Sequence, residues 1–286
     1  MGVLSRRDTE QPQARGRGIG AASDAGGDGS TPLAAAGTEG SGAKASGVRR
    51  LVSCVMPAYN EHEVIRHAVQ RVQQALERLT ADFEIVVVND GSTDGTGGIL
   101  DAVAGERLRV IHFPENRGYG RALRAGFAAA RHPLVFFMDS DDQFDPEDLG
   151  RLLALTADAD IVVGYRVTRG DGAVRELLSG GYNALVRALL SLNVRDVNCA
   201  FKIVHRDALA SLGLTSDGYT INAEMLARAE RAGLRIREVP VNHHPRRSGQ
   251  SKVGFGDIPR ALAQIVALRQ ALRRGDWRRD APGKEA

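Results

Sequence analysis

The chain is poor in cysteine, with Cys54 and Cys199 the only two among 286 residues, each inside an apolar stretch. That scarcity excludes a disulfide framework and fits a reducing compartment with two buried free thiols. No run of 18 or more apolar residues occurs, and the N-terminal region lacks the continuous apolar core of a secretory signal. The expectation is a cytoplasmic protein, either free or peripheral on the inner face of the plasma membrane. A strong excess of one charge is also missing. The formal net charge of +3 is too small for its sign to imply a nucleic-acid partner, and none is expected. What is present is 43% hydrophobic residues, enough for a full core in one domain or two small ones.

The texture changes along the chain. Residues 1–48 hold Gly, Ala and Ser at about half of all positions with no apolar periodicity, a composition that cannot recover its ordering entropy, and are predicted to be a disordered tail. From 49 to 253 a folded domain is expected, and from 254 to 286 an amphipathic helix with a basic tail. In the central region LVSCVMP, EIVVVND, LRVIHF, LVFFMD and ADIVVGY are predicted strands, and helices are predicted to begin near Glu61, Thr93, Tyr119 and Pro146. Unalternated apolar strands are buried on both faces, so the predicted fold is α/β: a Rossmann-like, mostly parallel open sheet flanked by helices.

Polar clusters fall at the carboxyl ends of these strands, where an open α/β sheet forms its ligand crevice. Tyr59, Asn60 and Glu61 follow the first strand, and Asn89 and Asp90 end the second. Asn116, Arg117 and Gly118 follow the third, Asp139 ends the fourth, and Gly164, Tyr165 and Arg166 end the fifth. Any one cluster is ordinary capping chemistry; five on one edge point to a site. The densest is FFMDSDDQFDP, residues 136–146, which sets four aspartates against an apolar run. Like charges this close raise one another's pKa, so the cluster is either solvated or holds a cation. Residues i and i+2 of an extended chain share a face, which lets Asp139 and Asp141 address one divalent ion, with Gln143 as a neutral oxygen donor nearby. Asp142 is expected to point the other way, and Asp145, before Pro146, to cap the next helix.

PAYNE at 57–61, VNDGSTDGT at 88–96, NRGYGRALRAG at 116–126 and DSDDQFDP at 139–146, followed by NCAFKIVHR at 198–206 and PRRSGQSK at 245–252, resemble the family 2 glycosyltransferases of GT-A fold. Within them the resemblance is to the polyprenol-phosphate sugar transferases of the dolichol-phosphate mannosyltransferase type. It implies an inverting, metal-dependent transfer of a sugar from a GDP- or UDP-linked donor to a polyprenyl phosphate. It further implies Mg²⁺ or Mn²⁺ at Asp139, Asp141 and Gln143, and donor contacts from Pro57, Tyr59, Asn60, Glu61, Asn89, Asp90 and Lys202. By the same likeness the loop bearing Arg247, Ser248 and Lys252 closes over the donor diphosphate, with Arg247 and Lys252 assisting the leaving group, and Arg166, Arg175 and Ser179 hold the acceptor phosphate.

A hydroxyl acceptor, the alternative, would need a carboxylate base. GYTINAEMLARA offers Glu224 without the paired acids of hydroxyl-transferring relatives, and Asp142 is the other candidate. A third reading, a silent nucleotide-sugar-binding or membrane-adaptor protein, is disfavoured by the intact Asp139, Asp141 and Gln143. The segment DIPRALAQIVALRQALRRGDWRRD is read as a helix either packed on the domain or lying against a membrane surface or membrane protein.

Overall fold

A computed structural model describes residues 50–167, 173–245 and 258–275, without the side chains of 173–179 and 258–259. The predicted tail over 1–48 and the basic loop with Arg247, Ser248 and Lys252 lie outside the described residues, as does Trp277. The described part belongs to one unit. Its centre is a seven-stranded sheet of order β3-β2-β1-β4-β6-β5-β7. The strands are β1 Leu51–Ala58, β2 Asp82–Asn89, β3 Leu108–His112, β4 Leu134–Met138, β5 Ile161–Arg166, β6 Phe201–His205 and β7 Ile236–Val241. β6 runs antiparallel to both neighbours, while the other pairings are parallel. Six strands therefore deliver their carboxyl ends to one edge, and β6 begins there.

The central strands β1 and β2 are buried along nearly their whole length because both faces are covered. Val52, Cys54, Met56 and Phe83, Ile85, Val87 face one core with α1 (Ile65–Leu79), α2 (Thr96–Val103) and α4 (Leu149–Ala154). Val55, Val86 and Val88 face the other. That second core is closed by α3 (Tyr119–Ala129), α5 (Ala173–Leu190), α6 (Arg206–Ser211), α7 (Ile221–Arg231) and α8 (Ile258–Arg274). Gly126 on α3 fits there because a Cβ would meet Val55 Cγ1 at 2.3 Å, so the helix can approach β1 only without a side chain. Both cysteines are free and buried, and burial pushes the Cys199 thiol up to about 12.

α8 packs on α5 and α7 through Ile265 and Leu272, while Val266 remains 43% exposed. Among the described residues no helix is long and apolar enough to cross a membrane. Two helices start later than predicted, at Ile65 and Thr96, because the residues before them form turns. Asp94 accepts from Thr96 N and Oγ1, and Asn60 sits at φ 51°.

At the edge opposite the crevice, Glu84 is buried and receives Ser53 Oγ at 2.7 Å, Arg131 N at 2.7 Å and Arg109 Nη2 at 2.7 Å. Burial raises its pKa, but these bonds outweigh burial and hold it below the usual carboxylate value. Glu84→Gln brings an amide among donors that need an acceptor, and is expected to cost about 1.5 to 3 kcal/mol at pH 7. Because the folded pKa is depressed, that contribution is complete above the unfolded pKa near ~4.3 and disappears as pH falls through the folded value. Urea unfolding of both proteins at pH 7 and pH 3 should show the difference closing at the lower pH; a constant difference would contradict the assignment.

Candidate active site

The carboxyl ends of β1, β2, β4 and β5 build the crevice from hydrogen-bonded turns. After β1, the Asn60 N–H donates to Ser92 Oγ at 2.9 Å, and Asn60 Oδ1 accepts from Thr93 N at 2.8 Å, so the PAYNE and DGST turns lock together. The Glu61 N–H donates to Thr96 Oγ1 at 2.9 Å. After β2, buried Asn89 places its Nδ2 at 3.0 Å from His112 Nδ1 and accepts from Ser92 N at 3.1 Å. Its amide is therefore spent inside the turn. Asp90 accepts from the N–H groups of Arg117 at 2.7 Å and Gly118 at 3.0 Å. Gly91, at φ +69°, permits this closeness, because a Cβ would lie 2.2 Å from the Glu115 carbonyl carbon. The predicted donor residues Tyr59, Asn60, Glu61, Asn89 and Asp90 are thus gathered at one edge as a preorganised rim.

β4 pairing stops at Met138, and the acids follow. Ser140 is buried and donates to the Pro57 carbonyl at 2.8 Å, which ties this segment to the end of β1. Asp139 is half-buried, and its pKa is pushed up to about 7 by burial and then by the neighbouring Asp141 charge, against relief from Tyr119, Arg166 and Lys202. A carboxylate pair held in this state is short of positive charge. Gln143 donates through Nε2 to the His244 carbonyl at 3.0 Å, and His244 N returns to the Gln143 carbonyl at 2.7 Å. The acidic turn is so joined to the chain that leads into the basic loop. Among the described residues there is no cluster of three or more His, Cys, Asp or Glu able to hold a metal. A cation here would rest on two carboxylates plus neutral oxygens, the donor set that a hard divalent ion takes when a phosphate completes its shell.

Behind the carboxylates lies a buried polar network. Lys202, fully buried on β6, donates to Asn222 Oδ1 at 2.8 Å, to the Val197 carbonyl at 3.3 Å and to the Cys199 carbonyl. Burial lowers its pKa to about 8. It is therefore set beneath the crevice rather than exposed in it. Arg166 binds Asp196 through Nε at 2.7 Å and Nη2 at 3.0 Å, leaving Nη1 outside the pair. Tyr119 brings its hydroxyl beside Asp139 and Asn222, with no hydrogen bond of good geometry among the described residues, and its ring stacks on Tyr219 at 5.0 Å. Of the other predicted acceptor residues, Arg175 and Ser179 lie on α5, and their side chains are outside the described residues.

Both candidate bases are tied down. Glu224 is completely buried, pairs with Arg228 at 2.5 Å, and accepts from Thr215 N at 3.0 Å, Thr215 Oγ1 at 2.8 Å and Ser216 N at 2.8 Å. It shapes the loop whose Asp217 carbonyl receives the Gly120 N–H at the start of α3. Asp142 is turned away from the crevice to His67 and Arg71 of α1, and Asp145 accepts from Glu147 N as a helix cap, both as predicted. Tyr119, Asn222 and Asp196 escaped the sequence reading. Tyr119 and Asn222 lay inside quoted motifs and were overlooked beside Arg117 and Glu224; Asp196 carries no local signal.

The glycosyl transferase family 2 description matches residues 53–213. Polyprenol monophosphomannose synthase of Mycolicibacterium smegmatis is 32% identical over 228 residues, covering 74% of this chain and 84% of that protein. Undecaprenyl-phosphate mannosyltransferase of Micrococcus luteus is 31% identical over 235 residues, covering 78% of this chain and 95% of that one. Among solved structures, glucosyl-3-phosphoglycerate synthase of Mycobacterium tuberculosis in complex with Mn²⁺ and uridine-diphosphate-glucose superposes with a TM-score of 0.61 at 25% identity, covering 79% of each chain.

The buried ammonium yields a stability test. Lys202→Met removes the donor shared by the Val197 and Cys199 carbonyls and Asn222, and is expected to cost about 3 kcal/mol, since each stranded polar group costs about 1 to 3 kcal/mol less whatever the methyl group recovers. Denaturant unfolding checks this, and a loss below ~1 kcal/mol would show that the network does not depend on Lys202.

Proposed function

We propose that this chain, which belongs to glycosyl transferase family 2, moves one sugar from a nucleotide-diphosphate sugar to a polyprenyl phosphate with inversion at the anomeric carbon. The observation that carries the reading is a pair of crevice carboxylates, Asp139 and Asp141, in surroundings where no free base accompanies them among the two candidates. A lipid monophosphate has a second pKa near ~6, so at neutral pH it is mostly a dianion and attacks without a base. Glu224 and Asp142, which a hydroxyl acceptor would require, are held in buried ion pairs. Relatives named for polyprenol and undecaprenyl phosphates support the same acceptor class.

In this reading Asp139 and Asp141, with Gln143, hold Mg²⁺ or Mn²⁺. When bound, such an ion stabilises the departing diphosphate as a Lewis acid. The rim residues Pro57, Tyr59, Asn60, Glu61 and Asp90 receive the nucleotide, either GDP- or UDP-linked, and Asn89 serves the donor site by shaping the turn beneath it. Lys202 acts from beneath by holding Asn222. Arg247, Ser248 and Lys252 supply donors to the diphosphate, and Arg166, Arg175 and Ser179 orient the acceptor phosphate. Charge-assisted bonds of this kind both bind and stabilise developing charge. The protein works at the inner membrane face as a peripheral enzyme, where its acceptor resides.

The test is incubation with labelled nucleotide sugars, a polyprenyl phosphate and Mg²⁺ or Mn²⁺, followed by extraction into organic solvent. Label is expected in the organic phase, with Asp141→Asn or excess EDTA removing most of it and no general-base limb in the pH profile beyond ionisation of the acceptor. Label that appears only with a neutral alcohol acceptor, or that survives EDTA in full, contradicts the reading.

A further inference from the structure

The acidic segment from Asp139 to Glu147 meets α1 along one side. His67, Arg71 and Arg78 are spaced by four and then seven residues, about one and two helical turns, so they share a face of the helix, while Ile65, Ala68, Val69, Val72, Ala75 and Leu76 fill the core. This basic row clasps the acidic segment. His67 Nδ1 lies 2.9 Å from Asp142 Oδ2, and Arg78 pairs with Glu147 at the far end. Arg71 stands between them and makes three contacts: Nη1 to Asp142 Oδ1 at 2.7 Å, Nη1 to the Phe144 carbonyl at 3.4 Å and Nη2 to Asp145 Oδ1 at 3.3 Å.

The contact with Asp142 matters for the residue beside it. Asp142 has φ 59°, a left-handed conformation that few non-glycine residues adopt and that aspartate adopts where hydrogen bonds to its side chain support it. Its side chain is 3% exposed and Arg71's is 27% exposed, so the pair is partly desolvated and its geometry is firm. The left-handed step at Asp142 reverses the chain immediately after Asp141. It brings the Gln143 N–H back onto Asp141 Oδ1 at 3.2 Å, so the orientation of the Asp141 carboxylate is tied to the Asp142 conformation, and so to Arg71. On the other side the turn is fixed by Gln143 and His244, so α1 and the segment just after β7 grip residues 142–145.

We infer that Arg71 is a positioning residue for the metal site: by holding Asp142 in its left-handed conformation it aims Asp141 at the cation shared with Asp139. This rests on the reading that Asp139 and Asp141 hold a divalent ion. The sign of the effect separates positioning from simple electrostatics. Removing a nearby positive charge should by Coulomb's law tighten cation binding; loss of positioning should weaken it.

The test titrates Mn²⁺ alone into the full chain and reads free Mn²⁺ by electron paramagnetic resonance, with thermal melting of each variant alongside. Arg71→Ala is expected to bind Mn²⁺ about 10- to 100-fold more weakly, the usual loss for a residue that supports a ligand. Arg71→Lys keeps the charge but cannot span Asp142, Phe144 O and Asp145 together, and should fall between. Arg78→Ala, which loses only the Glu147 contact, should bind as wild type does. Unchanged or tighter binding by Arg71→Ala overturns the inference, as does an equal loss in Arg78→Ala. Should Arg71→Ala not fold, wild-type affinity in Arg71→Lys overturns it instead. Wild-type protein that binds Mn²⁺ neither alone nor with GDP or UDP present overturns the metal reading together with this one, whereas binding that Asp141→Asn loses and Arg71→Ala keeps overturns the positioning role alone.

Discussion

Five carboxylates stand between residues 139 and 147, and the rest of the site depends on how their charge is shared out. Asp142, Asp145 and Glu147 are taken by α1, whose His67, Arg71 and Arg78 form a matching basic row. Asp139 and Asp141 stay with the crevice. A segment this acidic could not end a buried strand if all five charges faced one way. Dividing them across two sides of a tight turn gives three of them partners on α1 and concentrates the remaining repulsion where a cation would relieve it.

The same economy runs behind the crevice floor. Lys202, Arg166 and Asp196 place fixed charges under Asp139, and each is bonded to a partner that orients it. The two cations, Arg166 and Lys202, temper the Asp139 carboxylate without supplying a direct counter-ion, so its pKa stays high at about 7. α3 and the loop before α7 close the same region from above, through the Tyr119 and Tyr219 stack and the Asp217 carbonyl on the Gly120 N–H. Sheet register enters directly, because β6 begins at this edge and its second residue is Lys202.

The first five strands were legible from their apolar, β-branched runs, which are buried along most of β1, β2, β4 and β5 and only partly buried in β3 at the sheet edge. β6 and β7 were not. FKIVH carries a lysine at its second position, and only the pocket formed by Val197, Cys199 and Asn222 makes that lysine a core residue. IREVPV has a proline, which an edge strand tolerates because one side of it needs no ladder partner, and β7 is the edge. The paired acids, the helix cap at Asp145 and the outward turn of Asp142 were readable from spacing. The identity of their partners was not: His67 and Arg71 lie some 70 residues earlier, and nothing local distinguishes an arginine that clasps a turn from one in water. Glu224 misled for the converse reason, since a lone acid on a helix gives no sign that Arg228, Thr215 and Ser216 have already used it.

Functional charge and structural charge should respond oppositely when removed from the metal-free protein. The most direct measurement is the unfolding free energy in EDTA at pH 8 of wild type, Asp139→Asn and Asp142→Asn. Asp139→Asn removes a carboxylate held ionised against burial and a like charge, and should be more stable than wild type by about 1 kcal/mol or more. Asp142→Asn breaks a partly buried, charge-assisted pair with Arg71 and should lose about 1.5 to 3 kcal/mol. Two variants destabilised alike would show that the acids form one structural network, and would contradict a division between a clasped turn and a cation site.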